Sequence, residues 1–145
     1  MTSTATIEQW LKKLHQHGYR PTATRQAVVA IIIEATQTLT AQQVYDLGRL
    51  RHPALGLVTV YRTLDMLEQL GLVERVHQPH GCHAYIASTA EHQHLLLCQN
   101  CGRAERFSGD NLEPLFALVA QQSGYLIREH WLQLLGICPR CQVQA

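Results

Sequence analysis

Apolar residues Ile7, Trp10, Leu11 and Leu14 recur at i, i+3, i+4 and i+7, the spacing of one helical stripe. Gly18 stands where such a helix would close in a left-handed cap. Thr22 or Thr24 can open a second helix, and its run at 28–33 is apolar on every side, which predicts a central, buried element. Thr40-Ala41-Gln42-Gln43 has the capping-box form and predicts a third helix carrying Val44, Leu47 and Leu50. A fourth is expected from about 59 to 70, with Val60, Leu64 and Leu67 facing inward and Gly71 at its end. After it, residues 72–76 and 83–86 read as two strands joined across Gln78-Pro79-His80-Gly81. Helices followed by a hairpin predict a winged helix-turn-helix.

Charge and histidine divide the chain near residue 88. Residues 1–86 carry eight Lys or Arg against six Asp or Glu, while 87–145 carry four against five, so the two parts differ in sign. Four of the five cysteines lie in the second part, and five of the nine histidines fall between His77 and His94. The small, polar Ala87-Ser88-Thr89-Ala90 suits a hinge. The expected organisation is α+β: a winged helix-turn-helix domain at 1–86, a hinge at 87–91 and a second small domain at 92–145. At 145 residues the chain is too short for a large enzyme, and with 46% hydrophobic residues it is globular rather than disordered. A net charge of only +1 means that nucleic-acid binding must come from local basic patches. No apolar run approaches the ~20 residues of a membrane span, and the first thirty residues do not read as a signal peptide; a cytoplasmic protein without a membrane partner is expected.

With Val60 and Leu64 inward, the fourth helix turns Thr59, Tyr61, Arg62, Asp65 and Gln69 at least partly to solvent. A hydroxyl, a phenol and a guanidinium in its first turn suit a helix whose N-terminus enters the major groove of double-stranded DNA. Arg20 and Arg25 flank the start of the second helix and could neutralise phosphates or reach the minor groove. The competing reading is that Tyr61 and Arg62 merely cover a solvated face.

Cys98-Gln99-Asn100-Cys101 and Cys138-Pro139-Arg140-Cys141 are two C-x-x-C pairs separated by 36 residues. Together they can complete a closed tetrahedral shell of four thiolates, the usual structural zinc site, which staples a small domain and leaves no open position for chemistry. Disulfides and thioredoxin-like redox pairs are the alternatives. His92-Gln93-His94, if on a strand, directs two imidazoles to one face; Glu113, near the start of the next helix, and His130, in the final strand-like segment, could join them. Cys82 lies at the hairpin turn among His77, His80 and His83, a borderline-soft set better matched to zinc than to ferrous iron. A zinc hydrolase on His92, His94, Glu113 and His130 is disfavoured, because four protein ligands leave no vacancy for water.

The segments Gly18-Tyr19-Arg20-Pro21-Thr22, Thr40-Ala41-Gln42-Gln43-Val44-Tyr45, Val58-Thr59-Val60-Tyr61-Arg62-Thr63-Leu64, Gly71-Leu72-Val73 and His92-x-His94-x-x-x-Cys98-x-x-Cys101-Gly102 together resemble the ferric uptake regulator family of bacterial metal-responsive repressors, over essentially the whole chain. The resemblance implies a winged-helix DNA-binding domain at 1–86, a short hinge and a small C-terminal α/β dimerisation domain at 92–145, and a homodimer that binds an inverted-repeat operator when metal-loaded. It implies that Tyr61 and Arg62 read bases, that Arg20 makes a minor-groove contact, that Cys98, Cys101, Cys138 and Cys141 hold structural zinc, and that His92, His94, Glu113 and His130 form a metal site in the dimerisation domain. The iron and peroxide sensors of the family place histidines or an acid where this chain has Thr38, Gln93, Leu95 and Arg106. Zinc uptake regulators use instead a cysteine from the hinge side, for which Cys82 is available, although in those sensors the cysteine follows the wing aromatic that Cys82 precedes. The expected function is therefore a zinc-sensing transcriptional regulator, with iron or peroxide sensing as the alternative.

Overall fold

The structure, a computed structural model, describes residues 3–78, 81–89, 93–109 and 111–143. The chain divides into two compact units, Met1–Ser88 and Thr89–Ala145. The α+β class is the expected one.

In the first unit α1 (Ser3–Gln16) buries Trp10 and Leu14, with Ile7 and Leu11 partly covered beside them. Gly18 follows at φ 84°, the left-handed turn only glycine adopts cheaply. Thr22 rather than Thr24 caps α2 (Ala23–Glu34), accepting from the Arg25 N–H at 3.4 Å; Val28, Val29, Ile31 and Ile32 are buried, as an element apolar all round must be. Both halves of the capping box are present at the head of α3 (Ala41–Arg51). This helix is rotated from its expected pose. Ala41, Val44 and Gly48 face the core, whereas Leu47 is 43% and Leu50 82% exposed. The cause is Gly48: a Cβ there would stand 2.3 Å from Leu55 Cδ2, so the missing side chain lets the loop after α3 lie directly on the helix.

The fourth helix, α4 (Leu57–Gln69), starts two residues before the expected boundary and buries Val60, Thr63, Leu64, Met66 and Leu67. Thr63 satisfies its buried hydroxyl by donating to the Thr59 carbonyl at 2.7 Å. The ammonium of Lys13 donates to the Leu70 carbonyl at 2.9 Å, tying α1 to the end of α4. Strands β2 (Val73–His77) and β3 (His83–Ala87) pair antiparallel, and a short β1 (Leu39–Thr40), which no sequence pattern announced, pairs with β3 to give the order β1-β3-β2. Helix-turn-helix followed by a β-ribbon is the winged-helix arrangement.

The second unit holds β4 (His94–Cys98), β5 (Ala104–Phe107), α5 (Glu113–Ser123), β6 (Gln133–Gly136) and α6 (Pro139–Gln142). Its sheet runs β5-β4-β6, with β5 antiparallel and β6 parallel to the central β4. Among its described residues only His94, Leu95, Leu97 and Cys98 are buried, and α5 buries no residue fully. His130 precedes β6 instead of lying within it, because the chain after Gly124 stays irregular until Gln133. Among the described residues no helix is long and apolar enough to cross a membrane.

Candidate metal centre and nucleic-acid interface

The parallel pairing of β4 and β6 creates the thiol cluster. Cys98 stands opposite Gly136 in register, and the Gln99 N–H donates to the Gly136 carbonyl at 2.9 Å, so both strands finish at the same edge. Each then turns through a C-x-x-C. In the first turn the Gly102 N–H returns to the Cys98 carbonyl at 3.0 Å with Gly102 at φ 73°; in the second the Cys141 N–H returns to Cys138 at 2.9 Å. The four Sγ atoms of Cys98, Cys101, Cys138 and Cys141 lie within 4.8 Å of one another, and Cys101 and Cys138 are 3.7 Å apart. A tetrahedral zinc with Zn–S bonds of about 2.3 Å requires sulfurs about 3.8 Å apart. The residues fit zinc. All five cysteines are free thiols, and four of them gather as one cluster rather than as two separate C-x-x-C pairs.

Backbone geometry prepares the cage electrically. The Cys138 N–H donates to Cys98 Sγ at 3.3 Å and, with the N–H groups of Cys101 and Asn100, pulls the Cys98 thiol down to about 6. The Cys141 thiol moves the other way, pushed up to about 12, chiefly by its hydrogen bond with the Cys138 side chain. One ligand is thus a thiolate at neutral pH while another keeps its proton until a cation displaces it.

At the opposite end of β4 from the cage, buried His94 meets Phe107 across the sheet at 5.5 Å and His130 at 5.2 Å between ring centroids, and Phe116 of α5 stacks on His130 at 4.2 Å. Gly109 gives His94 its room, since a Cβ there would stand 2.2 Å from Nε2. Glu113 occupies the first turn of α5, where the helix dipole favours an acid. Thus His94 and His130 are brought together; His92 lies outside the described residues. At the turn end of the ribbon His77 and His83 are cross-strand partners with rings 5.2 Å apart, and Cys82 is exposed beside them; His80 lies outside the described residues. Among the described residues the four-cysteine cluster is the one group of three or more ligands gathered within 4.8 Å.

In α4 the first turn presents Val58, Tyr61 and Arg62 to solvent, with Val58 63% and Tyr61 48% exposed and Thr59 half-buried. Arg20 is exposed, whereas the Arg25 guanidinium donates to the Arg20 carbonyl at 2.7 Å and so braces the turn before α2. Sequence reasoning missed a cluster beside this face, in which Arg75 of β2 bridges Asp65 and Glu68 of α4. The readable signal was two acids three residues apart on one helix and an arginine on the strand that follows.

The sequence model of the ferric uptake regulator family matches residues 16–135. The chain belongs to that family. The Ferric uptake regulation protein of Bacillus subtilis is 33% identical over 139 residues, 93% of each chain. The Vibrio cholerae ferric uptake regulator structure superposes with a TM-score of 0.70 at 28% identity, covering 88% of this chain and 98% of that one. A zinc uptake regulator solved with zinc and DNA shares the fold, with a TM-score of 0.73 at 23% identity over 99% of this chain and 98% of that one. As a member of the ferric uptake regulator family the chain is a metal-responsive transcriptional regulator and not an enzyme.

Proposed function

We propose that this regulator senses zinc: metal-loaded, it binds an inverted-repeat operator as a homodimer and controls zinc homeostasis in the cytoplasm. One observation carries zinc over iron. Leu95 and Arg106 stand opposite each other in the β4–β5 register, Leu95 buried to 3%. These are two of the positions at which the iron and peroxide sensors of the family supply nitrogen and oxygen ligands, and a buried aliphatic chain facing a guanidinium cannot ligate a ferrous ion.

Zinc at Cys98, Cys101, Cys138 and Cys141 would be structural. The sensory ion would draw on His92, His94, Glu113 and His130, or on Cys82 with His77, His80 and His83. Zinc would supply charge and tetrahedral bonding, and the protein responds only by the difference in its affinity for DNA-competent and incompetent conformations; a tenfold shift needs about 1.4 kcal/mol of that difference. Thr59, Tyr61 and Arg62 would face the major groove, with Arg20 and Arg25 along the backbone. Homodimerisation is supported by the second unit, where Leu115, Leu118, Val119, Leu134 and Leu135 are each 45% or more exposed, apolar side chains that a second copy would cover. Iron sensing is the second reading, favoured by the name of the 33%-identical Bacillus subtilis relative.

The test begins with metal analysis of the purified protein. A duplex is then selected from a random-sequence pool and titrated with zinc-loaded and with ferrous-loaded protein. Tight binding with zinc beyond one ion per chain, and weak binding with ferrous ion, is expected; the reverse preference overturns the zinc reading. Cys82→Ser is expected to weaken zinc-dependent binding while leaving a folded dimer, and an unchanged zinc titration refutes the role of Cys82.

A further inference from the structure

The exposed face of α4 carries two acids, Asp65 and Glu68, beside the helix turn that holds Arg62. Arg75 of β2 reaches both: its Nη2 lies 2.7 Å from Glu68 Oε2 and 3.5 Å from Asp65 Oδ1. The guanidinium also stands over the ring of Tyr85, 5.8 Å from its centroid. Tyr85 is the cross-strand partner of Arg75 and is buried to 4%, so the platform under the guanidinium is fixed. Arg62 lies three residues before Asp65, the spacing at which side chains of opposite charge pair along a helix. Yet the ion pair of Asp65 is with Arg75, and among the described residues Arg62 makes no ion pair or side-chain hydrogen bond.

We propose that Arg75 is a positioning residue that holds Asp65 away from Arg62 and so keeps the Arg62 guanidinium available to DNA. The inference rests on the reading of α4 as the recognition helix. A guanidinium grips guanine O6 and N7 with two parallel hydrogen bonds; one engaged with a carboxylate of its own helix has to break that pair first. Without Arg75, Asp65 has one cation left within a helical step, and that cation is Arg62. An exposed pair of this kind shifts an equilibrium about two- to threefold. Two recognition helices on one operator square that factor to about four- to ninefold.

The experiment uses full-length zinc-loaded protein and the selected duplex as probe. Four variants are compared: Arg75→Met, Asp65→Asn, Arg75→Met with Asp65→Asn, and Arg62→Met as a control. Arg75→Met is expected to weaken binding about four- to ninefold, Asp65→Asn to leave it near wild type, and the double variant to regain most of the loss. The recovery separates the proposal from a purely structural brace, because Asp65→Asn removes the competitor and restores nothing that Arg75 held together. Arg75→Met that binds as wild type overturns the inference, as does a double variant no better than Arg75→Met. Unimpaired binding by Arg62→Met overturns instead the assignment of Arg62 as a base reader. A readout without DNA is the Arg62 side-chain 1Hε–15Nε resonance, expected to shift in Arg75→Met and return in the double variant; an unmoved resonance overturns capture by Asp65.

Discussion

At the residue scale the thiol cage is set up unevenly, and that unevenness predicts a pH profile. Cys98, held down to about 6 by the Cys138 N–H, is already ionised at pH 7, while Cys141, held up at about 12, enters the metal shell only by losing a proton. Zinc binding therefore expels the Cys141 proton throughout the accessible range, and affinity rises about tenfold per pH unit on its account. Cys98 adds nothing to the slope above about 6, because its folded thiol is depressed and the thiolate already present; below that value it too must be deprotonated. The logarithm of zinc affinity is expected to steepen by about one proton as pH falls through 6. Competition with a chromophoric chelator between pH 5 and 8 measures it, and a slope that stays constant contradicts the Cys98 assignment. The gathering of the four cysteines was legible from sequence because C-x-x-C spacing carries its own geometry. The His94–His130 contact was legible only as a list of candidates, since the rings meet through Phe107, Phe116 and the space at Gly109, none of which has a spacing signature.

At the scale of elements, two positions of α3 separate propensity from packing. Thr40 and Gln43 exchange both capping-box bonds, 3.2 Å from the Gln43 N–H to Thr40 Oγ1 and 2.8 Å from the Thr40 N–H to Gln43 Oε1. Thr40→Ala is expected to cost about 1 kcal/mol. Gly48→Ala should gain up to about 1 kcal/mol in an isolated helix. Here the new methyl meets Leu55 and Ile31, both buried, and overpacking of about 1–3 kcal/mol decides the sign. Thermal melts of the two variants are expected to fall below wild type, and a stabilised Gly48→Ala protein would show that the α3–loop contact can relax. The same contact explains a limit of pattern reading. Val44, Leu47 and Leu50 form a plausible stripe, but a glycine on the opposite choice of face can outcompete leucines by admitting a neighbouring backbone. β1 escaped notice for a related reason: two residues have no period, and Leu39 and Thr40 become a strand only through pairing with Tyr85 and Ala84.

At the scale of the whole molecule, the two units are stabilised by different means. The first has a continuous apolar core drawn from all four helices and the ribbon. The second buries little among its described residues, and its α5 and β6 leave Leu115, Leu118, Val119, Leu134 and Leu135 well exposed; under the proposed function the cage and a second copy would supply the stabilisation that so small a core lacks. The C-x-x-C pairs and the family resemblance already pointed to a stapled, dimeric second unit; which leucines stay uncovered was not legible, because leucine periodicity reads the same whether the cover comes from its own chain or from a second copy. Two variants separate the contributions. Cys98→Ser removes one wall of the zinc shell and is expected to release the structural ion and unfold the second unit, while the melting of the first unit stays near wild type. Leu134→Glu keeps the cage but sets a carboxylate in the apolar surface, where burial against a twin would leave a charge without a partner. It is expected to retain one structural zinc per chain and to sediment at the 16.4 kDa of the single chain rather than twice that. Because each half of an inverted repeat is then met by an independent molecule, its operator affinity should fall far more than its fold does. A Leu134→Glu protein that remains dimeric and binds DNA normally moves the interface away from β6, and a Cys98→Ser protein with an intact second unit shows that the cluster contributes nothing to folding.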